Sequence, residues 1–161
     1  MNKAVFLDRD GIVNLERGVH TWRIEDFQFV DGLFNGLTYL SNKGYLLIII
    51  TNQSGIAKGL YTHADTDILH RYMLKELSDH GINITEIYYC PHHEDYSRCL
   101  CRKPGSLLIE KAISRFDVDT EKSVMIGDAL RDIEAGKAAG LRSIKLEPNA
   151  NLFQALKMNK I

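Results

Sequence analysis

The sequence predicts an α/β fold in which one parallel β-sheet lies between two layers of helices. Short apolar runs alternate with amphipathic helical patterns along the chain, as in strand–helix–strand units with right-handed crossovers. The run YLLIII at 45–50 is apolar on both faces, which is typical of a strand inside a parallel sheet. Polar residues follow several of these runs, at the strand ends where such sheets bind ligands.

The first half of the chain contains two predicted strands and two predicted helices. Residues 5–7 form the first strand, and leucines at helical spacing predict a helix over 33–40 before the strand at 45–50. Thr62 to Asp65 resembles a capping box that begins a second helix, which we expect to end near Gly81. The buried side of this helix is predicted to consist of Ile68, Leu69, Tyr72, Met73 and Leu77.

The second half of the chain continues the alternation. A strand is predicted at 84–89, and an amphipathic helix at 107–116 follows Pro104-Gly105. A strand at 123–126, a helix at 130–139 and a strand at 142–146 complete the pattern. Residues 151–161 are expected to form a short terminal helix or a loose tail.

Length and composition indicate one domain over residues 1–161. The 161 residues are 45% hydrophobic, enough for a substantial core. With 20 basic and 21 acidic residues the net charge is −1, which argues against nucleic-acid and membrane partners. The apolar run after Lys3 is interrupted by Asp8, too early for a secretory signal. We therefore expect a cytoplasmic protein that is monomeric.

Asp8 and Asp10 stand directly after the first predicted strand. A pair of carboxylates at a strand edge suggests metal-assisted chemistry at one substrate atom. Asp-x-Asp also occurs in calcium loops and in sugar-nucleotide transferases, so the pair alone is not decisive. Gly11, Ile12 and the preceding strand do not fit the ligand pattern of a calcium loop.

Two other strand ends also carry polar groups, namely Thr51-Asn52-Gln53-Ser54 and Gly127-Asp128. The carboxyl ends of parallel strands share one edge, so we expect these residues to converge with Asp8, although each could be a turn former or a helix cap. Lys103, which follows Arg102 and precedes Pro104, provides positive charge just before a helix. It could bind an anion such as phosphate or belong to a solvated basic pair.

All three cysteines lie in one short segment. Cys90, Cys99 and Cys101, together with His92, make a complete tetrahedral set for a structural zinc ion. Free or redox-active thiols are the alternative, and spacing alone does not choose between His92 and the adjacent His93. The other histidines are expected to lie on the surface or to be satisfied structural residues: His20, His63, His70 and His80.

The motifs together resemble the haloacid dehalogenase superfamily of phosphotransferases, with a Rossmann-like three-layer fold. The matching segments are 8–11, 51–55, Lys103 and 127–132. Cys90-Pro91-His92, Cys99-Leu100-Cys101 and Arg102-Lys103-Pro104 resemble its zinc-bearing branch, which contains heptose-1,7-bisphosphate phosphatases and histidinol-phosphate phosphatases. This resemblance favours His92 over His93 as the zinc ligand.

The resemblance implies a magnesium-dependent phosphatase that works through an aspartyl-phosphate. Asp8 would be the nucleophile and Asp10 the general acid and base, and Mg²⁺ would be held by the Asp8 carboxylate, the Asp10 carbonyl and Asp128. The resemblance also implies that the transferred phosphoryl group is bound by Thr51 and Lys103. Asp132 would orient Lys103 or the metal ligands. The residues that would recognise the rest of the substrate are Asn52, Gln53, Ser54 and Arg102.

The substrate implied is the 7-phosphate of D-glycero-D-manno-heptose 1,7-bisphosphate, a precursor for lipopolysaccharide. Segments 27–32 and 51–59, including Ser54, favour the heptose branch, whereas the short segment 90–101, called the zinc loop below, is closer in length to the histidinol-phosphate branch. Ile12 departs from the superfamily by replacing the usual threonine. A nucleic-acid 3′-phosphatase is disfavoured by the neutral charge, and a zinc-stabilised protein without catalysis is the alternative from another class.

No segment is long enough for a separate cap domain. The stretch after Asp10 and the stretch between Thr51 and Lys103 contain no large insertion. We therefore expect three loops to form the entrance to the site: residues 15–31, residues 55–61 and the zinc loop. An open rim of this kind suits a polar, phosphorylated small molecule.

Overall fold

The computed structural model describes residues Met1 to Ile161 and confirms the predicted α/β fold. Its centre is a five-stranded parallel sheet in the order β3-β2-β1-β4-β5. The strands are β1 Lys3–Leu7, β2 Tyr45–Asn52, β3 Glu86–Cys90, β4 Val124–Gly127 and β5 Arg142–Lys145. The helices are α1 Leu33–Asn42, α2 His63–Asp79, α3 Leu107–Arg115, α4 Leu130–Ala138 and α5 Leu152–Met158.

The two faces of the sheet carry separate layers of helices. Alternate residues of β1 point to opposite faces, so Val5 and Leu7 join one buried cluster, and Ala4 and Phe6 join the other. The first cluster includes buried residues of α1, α2 and α5, and the second those of α3 and α4. Burial of both faces explains why β1 and β2 are almost continuously apolar.

The strand order brings three chemically active strand ends together. From β1 the chain continues to β2 on one side, and the later strand β4 pairs with β1 on the other. The crevice at such a switch point, beyond the carboxyl ends of the strands, is the usual ligand site of open α/β sheets. Asp8 directly follows β1 and Asp128 directly follows β4, whereas Thr51 and Asn52 are the last residues of β2 rather than loop residues.

Helix α2 differs from the prediction on one position of its buried face. The capping box is present, because Thr62 Oγ1 accepts a hydrogen bond from the Asp65 amide and the Asp65 carboxylate accepts one from the Thr62 amide. Ile68 was expected inside and is 48% exposed. It lies off the 3–4 spacing of the residues that are buried, which are Thr66, Leu69, His70, Met73 and Leu77.

The end of the chain is a helix and not a loose tail. Leu152 and Leu156 of α5 are buried in the same cluster as α1, and the Asn151 side chain caps the helix by accepting from the Gln154 amide. The division of residues 1–161 into a single domain stays a prediction, and all five strands belong to one sheet. None of the helices is both long and apolar enough to cross a membrane.

Candidate active site

Lys103 lies at the centre of a buried ion cluster at the carboxyl edge of the sheet. Its ammonium donates to Asp8 Oδ1 at 2.7 Å and to the Ile50 carbonyl at 2.8 Å, and it lies 2.6 Å from Asp132 Oδ1. Lys103 is 2% exposed and Asp132 is completely buried. The two carboxylates outweigh the effect of burial and raise the pKa of Lys103, so this lysine stays charged.

Three carboxylates crowd around the same point. Asp8, Asp128 and Asp132 each offer an oxygen within 4.8 Å of the other two. Gly11 makes room for Asp128, because a Cβ at residue 11 would lie 2.2 Å from Asp128 Oδ2, and its φ of +91° also favours glycine. The turn that contains Asp10 and Gly11 is thereby packed directly against Asp128.

The electrostatics of this carboxylate cluster fit a divalent cation. Burial raises the pKa of Asp8 to about 7, although the charge of Lys103 acts in the opposite direction. Burial also raises the pKa of Asp128, with a further contribution from Asp132. Three carboxylates and one ammonium leave an excess of negative charge. Hard oxygen donors of this kind are the ligands of Mg²⁺. Of the three carboxylates, Asp132 is completely buried, whereas Asp8 and Asp128 keep some exposure to solvent.

Asp10 is held by hydrogen bonds to both of its carboxylate oxygens. Arg9 Nη2 and Asn14 Nδ2 each donate to Oδ1 at 3.0 Å, and Gln53 Nε2 donates to Oδ2 at 3.2 Å. Burial alone would raise the pKa of Asp10. The charge of Arg9 and the hydrogen bonds from Asn14, Arg9 and Gln53 outweigh burial and lower it. Asp10 is therefore a fixed carboxylate in the free protein.

Arg9 belongs to the candidate site, although no role was predicted for it from the sequence. It is 1% exposed, and besides Asp10 its guanidinium contacts the Thr21 carbonyl at 2.6 Å and His70 Nε2 at 3.1 Å. A charged residue between two others usually points to solvent, so only its place between the two aspartates could have singled it out. His70, expected to be structural, is buried in this contact.

The amides of Asn52 and Gln53 are already engaged inside the protein. Asn52 accepts from the Lys103 amide at 3.0 Å and donates to the Lys103 carbonyl at 3.1 Å, which fixes the backbone of the lysine. Gln53 Nε2 donates to Thr51 Oγ1 at 2.9 Å as well as to Asp10. Both residues, predicted to bind substrate, line the site and also hold its reacting groups in place.

A polar cavity of about 290 Å³ opens above these residues. Val19 is the only apolar residue in its wall. Most of the predicted residues outside the cysteine cluster meet here, together with six that were not predicted as site residues, namely Glu16, Gly18, Val19, His20, Thr21 and Arg131. The predicted residues in the wall are Asp8, Asp10, Asn52, Gln53, Ser54, Arg102 and Lys103. The first of the three predicted entrance loops contributes residues 16 and 18–21, and Arg102 directly follows the zinc loop, whereas the predicted entrance loop at 55–61 contributes no residue to the wall.

The cysteines and one histidine form a separate cluster beside the cavity. Cys90, His92, Cys99 and Cys101 converge, with distances of 3.1 Å between Cys90 and Cys101 sulfurs and 3.3 Å from His92 Nδ1 to Cys101 Sγ. One nitrogen and three sulfurs with no fifth donor suit a closed tetrahedral metal site. His93 lies outside this cluster and contacts Asp95 at 3.4 Å instead.

Comparison with known proteins identifies the family. Residues 100–148 match the sequence model of the HAD-hydrolase-like family. A D-glycero-α-D-manno-heptose-1,7-bisphosphate 7-phosphatase of Campylobacter jejuni is 46% identical over 144 residues, which cover 89% of this chain and 81% of that protein. The chain belongs to the haloacid dehalogenase-like phosphatases. The predicted superfamily and the prediction of a phosphatase are thereby confirmed.

Other relatives of this HAD-like phosphatase carry the same kind of name. A D-glycero-β-D-manno-heptose-1,7-bisphosphate 7-phosphatase of Haemophilus ducreyi is 42% identical over 88% of the chain and 80% of its own length. The crystal structure of a D,D-heptose 1,7-bisphosphate phosphatase from B. bronchiseptica, complexed with magnesium and phosphate, has a TM-score of 0.86 at 30% identity. The structural alignment covers 97% of this chain and 86% of the B. bronchiseptica chain.

Proposed function

We propose that this phosphatase hydrolyses the 7-phosphate of D-glycero-D-manno-heptose 1,7-bisphosphate through an aspartyl-phosphate on Asp8. The observation that carries the proposal is the similarity to heptose bisphosphate phosphatases over most of both chains, at 46% and 42% identity. The intact Asp8, Asp10 and Lys103 support it, because a protein that only binds has no need of a buried, paired nucleophile. The reaction would serve the synthesis of lipopolysaccharide precursors.

In the first step the Asp8 carboxylate attacks phosphorus and the bond from phosphorus to the sugar oxygen breaks. Asp10 gives a proton to the departing alkoxide. Although Asp10 is a carboxylate in the free protein, a phosphate dianion beside it favours the protonated form. Lys103 and Thr51 bind the oxygens of the transferred group, since charge stabilisation and positioning provide most of the catalysis in phosphoryl transfer.

In the second step water attacks the phosphorus of the aspartyl-phosphate. Asp10 accepts a proton from this water, the bond between Asp8 and phosphorus breaks, and phosphate leaves with Asp8 restored as a carboxylate. The hydrogen bonds to Asp10 from Arg9, Asn14 and Gln53 keep the same carboxylate in place for both proton transfers. Asp132 orients Lys103 from 2.6 Å.

Mg²⁺ is the cofactor that fits the carboxylate cluster. The Asp8 and Asp128 carboxylates and the Asp10 carbonyl would hold it, and when bound it would neutralise charge between the phosphate and Asp8. We assign Zn²⁺ to Cys90, His92, Cys99 and Cys101, as a structural ion that holds the loop between β3 and Lys103. Both assignments rest on the chemistry of the donor sets.

Two arginines in the cavity wall suit a second phosphate. Arg102 and Arg131 form no ion pair with any carboxylate, unlike Lys103, whose charge is already balanced. A bisphosphate brings the additional negative charge that these guanidinium groups can bind. We propose that Ser54, Arg102 and Arg131 contact the part of the substrate that is not transferred. Cytoplasmic location and a monomeric state remain predictions.

Phosphate release from a panel of esters, measured with and without Mg²⁺, tests the proposal. The panel contains both anomers of heptose 1,7-bisphosphate, heptose 7-phosphate, histidinol phosphate and a 3′-phosphorylated oligonucleotide. We expect the highest kcat/KM with one of the heptose bisphosphates and no turnover without the metal. A higher value for histidinol phosphate would assign the chain to histidine synthesis instead, and absence of turnover with every ester would favour a binding protein.

A further inference from the structure

Tyr61 does not line the cavity, but the side chain of Gln53 connects it to Asp10. The Tyr61 hydroxyl donates to Gln53 Oε1 at 2.6 Å. The other end of the same amide donates to Asp10 Oδ2 and to Thr51 Oγ1. Tyr61 is 5% exposed and Gln53 is 3% exposed. These hydrogen bonds therefore form away from bulk water, where a polar group that loses its partner is costly.

The direction of the Gln53 amide matters because its two ends have opposite polarity. When Nε2 faces Asp10 Oδ2 it donates to the carboxylate, whereas Oε1 in the same place would set two acceptors against each other. The Tyr61 hydroxyl favours the first arrangement by donating to Oε1. Burial raises the pKa of Tyr61 to about 12, so this hydroxyl keeps its proton throughout the range of an enzyme assay.

The ring of Tyr61 is itself fixed by close packing. A Cβ at residue 55 would lie 2.1 Å from Tyr61 Cε1, so Gly55 lets the ring approach the turn after β2. On its other sides the ring stacks on Trp22, with centroids 5.9 Å apart and an interplanar angle of 13°, and meets the edge of His20 at 5.8 Å. The hydroxyl is thereby held in one position relative to Gln53.

We propose that Tyr61 is a positioning residue for proton transfer, which acts through Gln53 to hold Asp10 Oδ2 toward the leaving group. This inference rests on the proposed role of Asp10 as general acid. Arg9 and Asn14 both bind Oδ1, and Gln53 is the side chain that binds Oδ2. Loss of the Tyr61 hydroxyl should therefore release one carboxylate oxygen and leave the other in place, so a partial loss of activity is expected.

The test compares two esters that differ in how much they need an acid. The first ester is the alkyl phosphate of the panel above that the protein hydrolyses fastest. Its hydrolysis releases an alkoxide that must be protonated. The leaving group of p-nitrophenyl phosphate is stable as an anion and needs no proton. In Tyr61→Phe we expect kcat/KM to fall about tenfold for the alkyl ester, the factor of about one hydrogen bond, and to stay nearly unchanged for the aryl ester.

Tyr39→Phe is the matched control. It removes a hydroxyl that donates to the Ile161 carbonyl at 2.9 Å, away from the site, and should leave both esters unaffected. Gln53→Met keeps the approximate length of the side chain and removes the donor to Asp10 without adding a charge, so it should reproduce the selective loss. The double variant with Tyr61→Phe should lose no more than Gln53→Met alone, since both substitutions break the same connection.

The outcomes separate this inference from the proposed function. The kcat/KM of Asp10→Asn is measured with the same two esters, because this ratio reports the first step and not the hydrolysis that both esters share; equal losses of kcat/KM would contradict the acid role of Asp10 and the positioning role with it. If Asp10→Asn is selective and Tyr61→Phe is not, Asp10 keeps its role and the inference about Tyr61 is wrong. An equal loss with both esters in Tyr61→Phe, accompanied by a lower Tm, would mean that the hydroxyl only stabilises the fold.

Discussion

Among the individual residues, Lys103 offsets part of the negative charge of the site. Its ammonium donates to Asp8 and to the Ile50 carbonyl, pairs with Asp132 at 2.6 Å and is almost completely buried. Removing one partner of a buried ion pair costs about 3–5 kcal/mol, because the remaining charge is left without compensation. Lys103 therefore fixes the predicted nucleophile, and in the proposed mechanism it also provides positive charge for the phosphoryl group.

Asp8→Asn is the sharpest test at this scale. An amide cannot form an acyl-phosphate, so we expect turnover to fall by at least about a thousandfold and no phosphate to be trapped on the protein after an acid quench. The fold should persist, because Asp132 still pairs with Lys103. Radiolabelled phosphate on the quenched protein and steady-state turnover are the measurements.

The control for this substitution is Asp31→Asn, which removes an exposed carboxylate outside the cavity. It should trap phosphate and turn over as the wild type does. Substantial turnover by Asp8→Asn would exclude the covalent route and favour direct attack by water.

At the scale of elements, α2 shows how one helix separates buried from exposed apolar residues. Leu69 is completely buried in the main core, whereas Ile68 on the adjacent position is 48% exposed. We expect Leu69→Ala to lower the free energy of unfolding by about 2–4 kcal/mol, because the cavity it leaves is closed on all sides. Ile68→Ala should change it by less than about 0.5 kcal/mol.

Urea unfolding followed by circular dichroism measures both values. The two variants each truncate an aliphatic side chain to alanine in one helix, so helix propensity affects them similarly. Equal losses in the two variants would mean that Ile68 is buried in solution, against an unidentified surface.

The proposed zinc site makes the loop at 90–101 an element whose stability should depend on a metal more than on packing. His92→Gln removes one donor of the cluster, so we expect the purified protein to lose most of its zinc and several degrees of Tm. His93→Gln is the matched control, because this imidazole contacts Asp95 outside the cluster and its loss should leave zinc content unchanged. Elemental analysis and thermal unfolding are the measurements. Zinc retained by His92→Gln and lost from His93→Gln would reverse the assignment.

For the molecule as a whole, buried His70 links stability to pH. Burial lowers its pKa to about 3, helped by the charge of Arg9 and opposed by Asp10. In the unfolded chain the pKa of His70 has its ordinary value of 6.5. Below pH 6.5 this imidazole therefore binds a proton in the unfolded state, whereas in the folded state it stays neutral down to a much lower pH. We expect this histidine to make the free energy of unfolding fall by about 1.4 kcal/mol per pH unit between pH 6 and about 4.

His70→Gln should flatten this part of the curve, since a glutamine can accept from Arg9 and stays neutral at every pH. Other groups titrate in the same range, so the quantity to compare is the difference between variant and wild type in urea unfolding from pH 7 to 4. His80→Gln, at an exposed histidine, should run parallel to the wild type. If the curve for His70→Gln also runs parallel to that of the wild type, the imidazole of His70 in the folded wild-type protein binds a proton within the same pH range.

The sequence by itself determined the layers, the strand ends and most of the residues that meet there. The spacing of apolar residues and the capping chemistry are local, so α1, α2 and the strands before Asp8, Thr51 and Asp128 could be assigned from the sequence, apart from the exact strand ends and the exposed Ile68. Asp8 and Lys103 are 95 positions apart. The shared edge of parallel strands predicted the convergence of Asp8, Thr51 and Asp128, whereas Lys103 was placed in the same site by the resemblance, and its ion pair with Asp8 was not predicted.

Only the tertiary structure decided which polar groups act on one another. Arg9 turns inward to Asp10 and His70, Tyr61 reaches Gln53, and the Asn52 amide binds the Lys103 backbone. Side-chain hydrogen bonds between distant segments depend on rotamers and on the packing that excludes water. Neither of these produces a regular spacing of residue types in the sequence. The reacting groups could therefore be predicted from their motifs, whereas the residues that hold them in place could not.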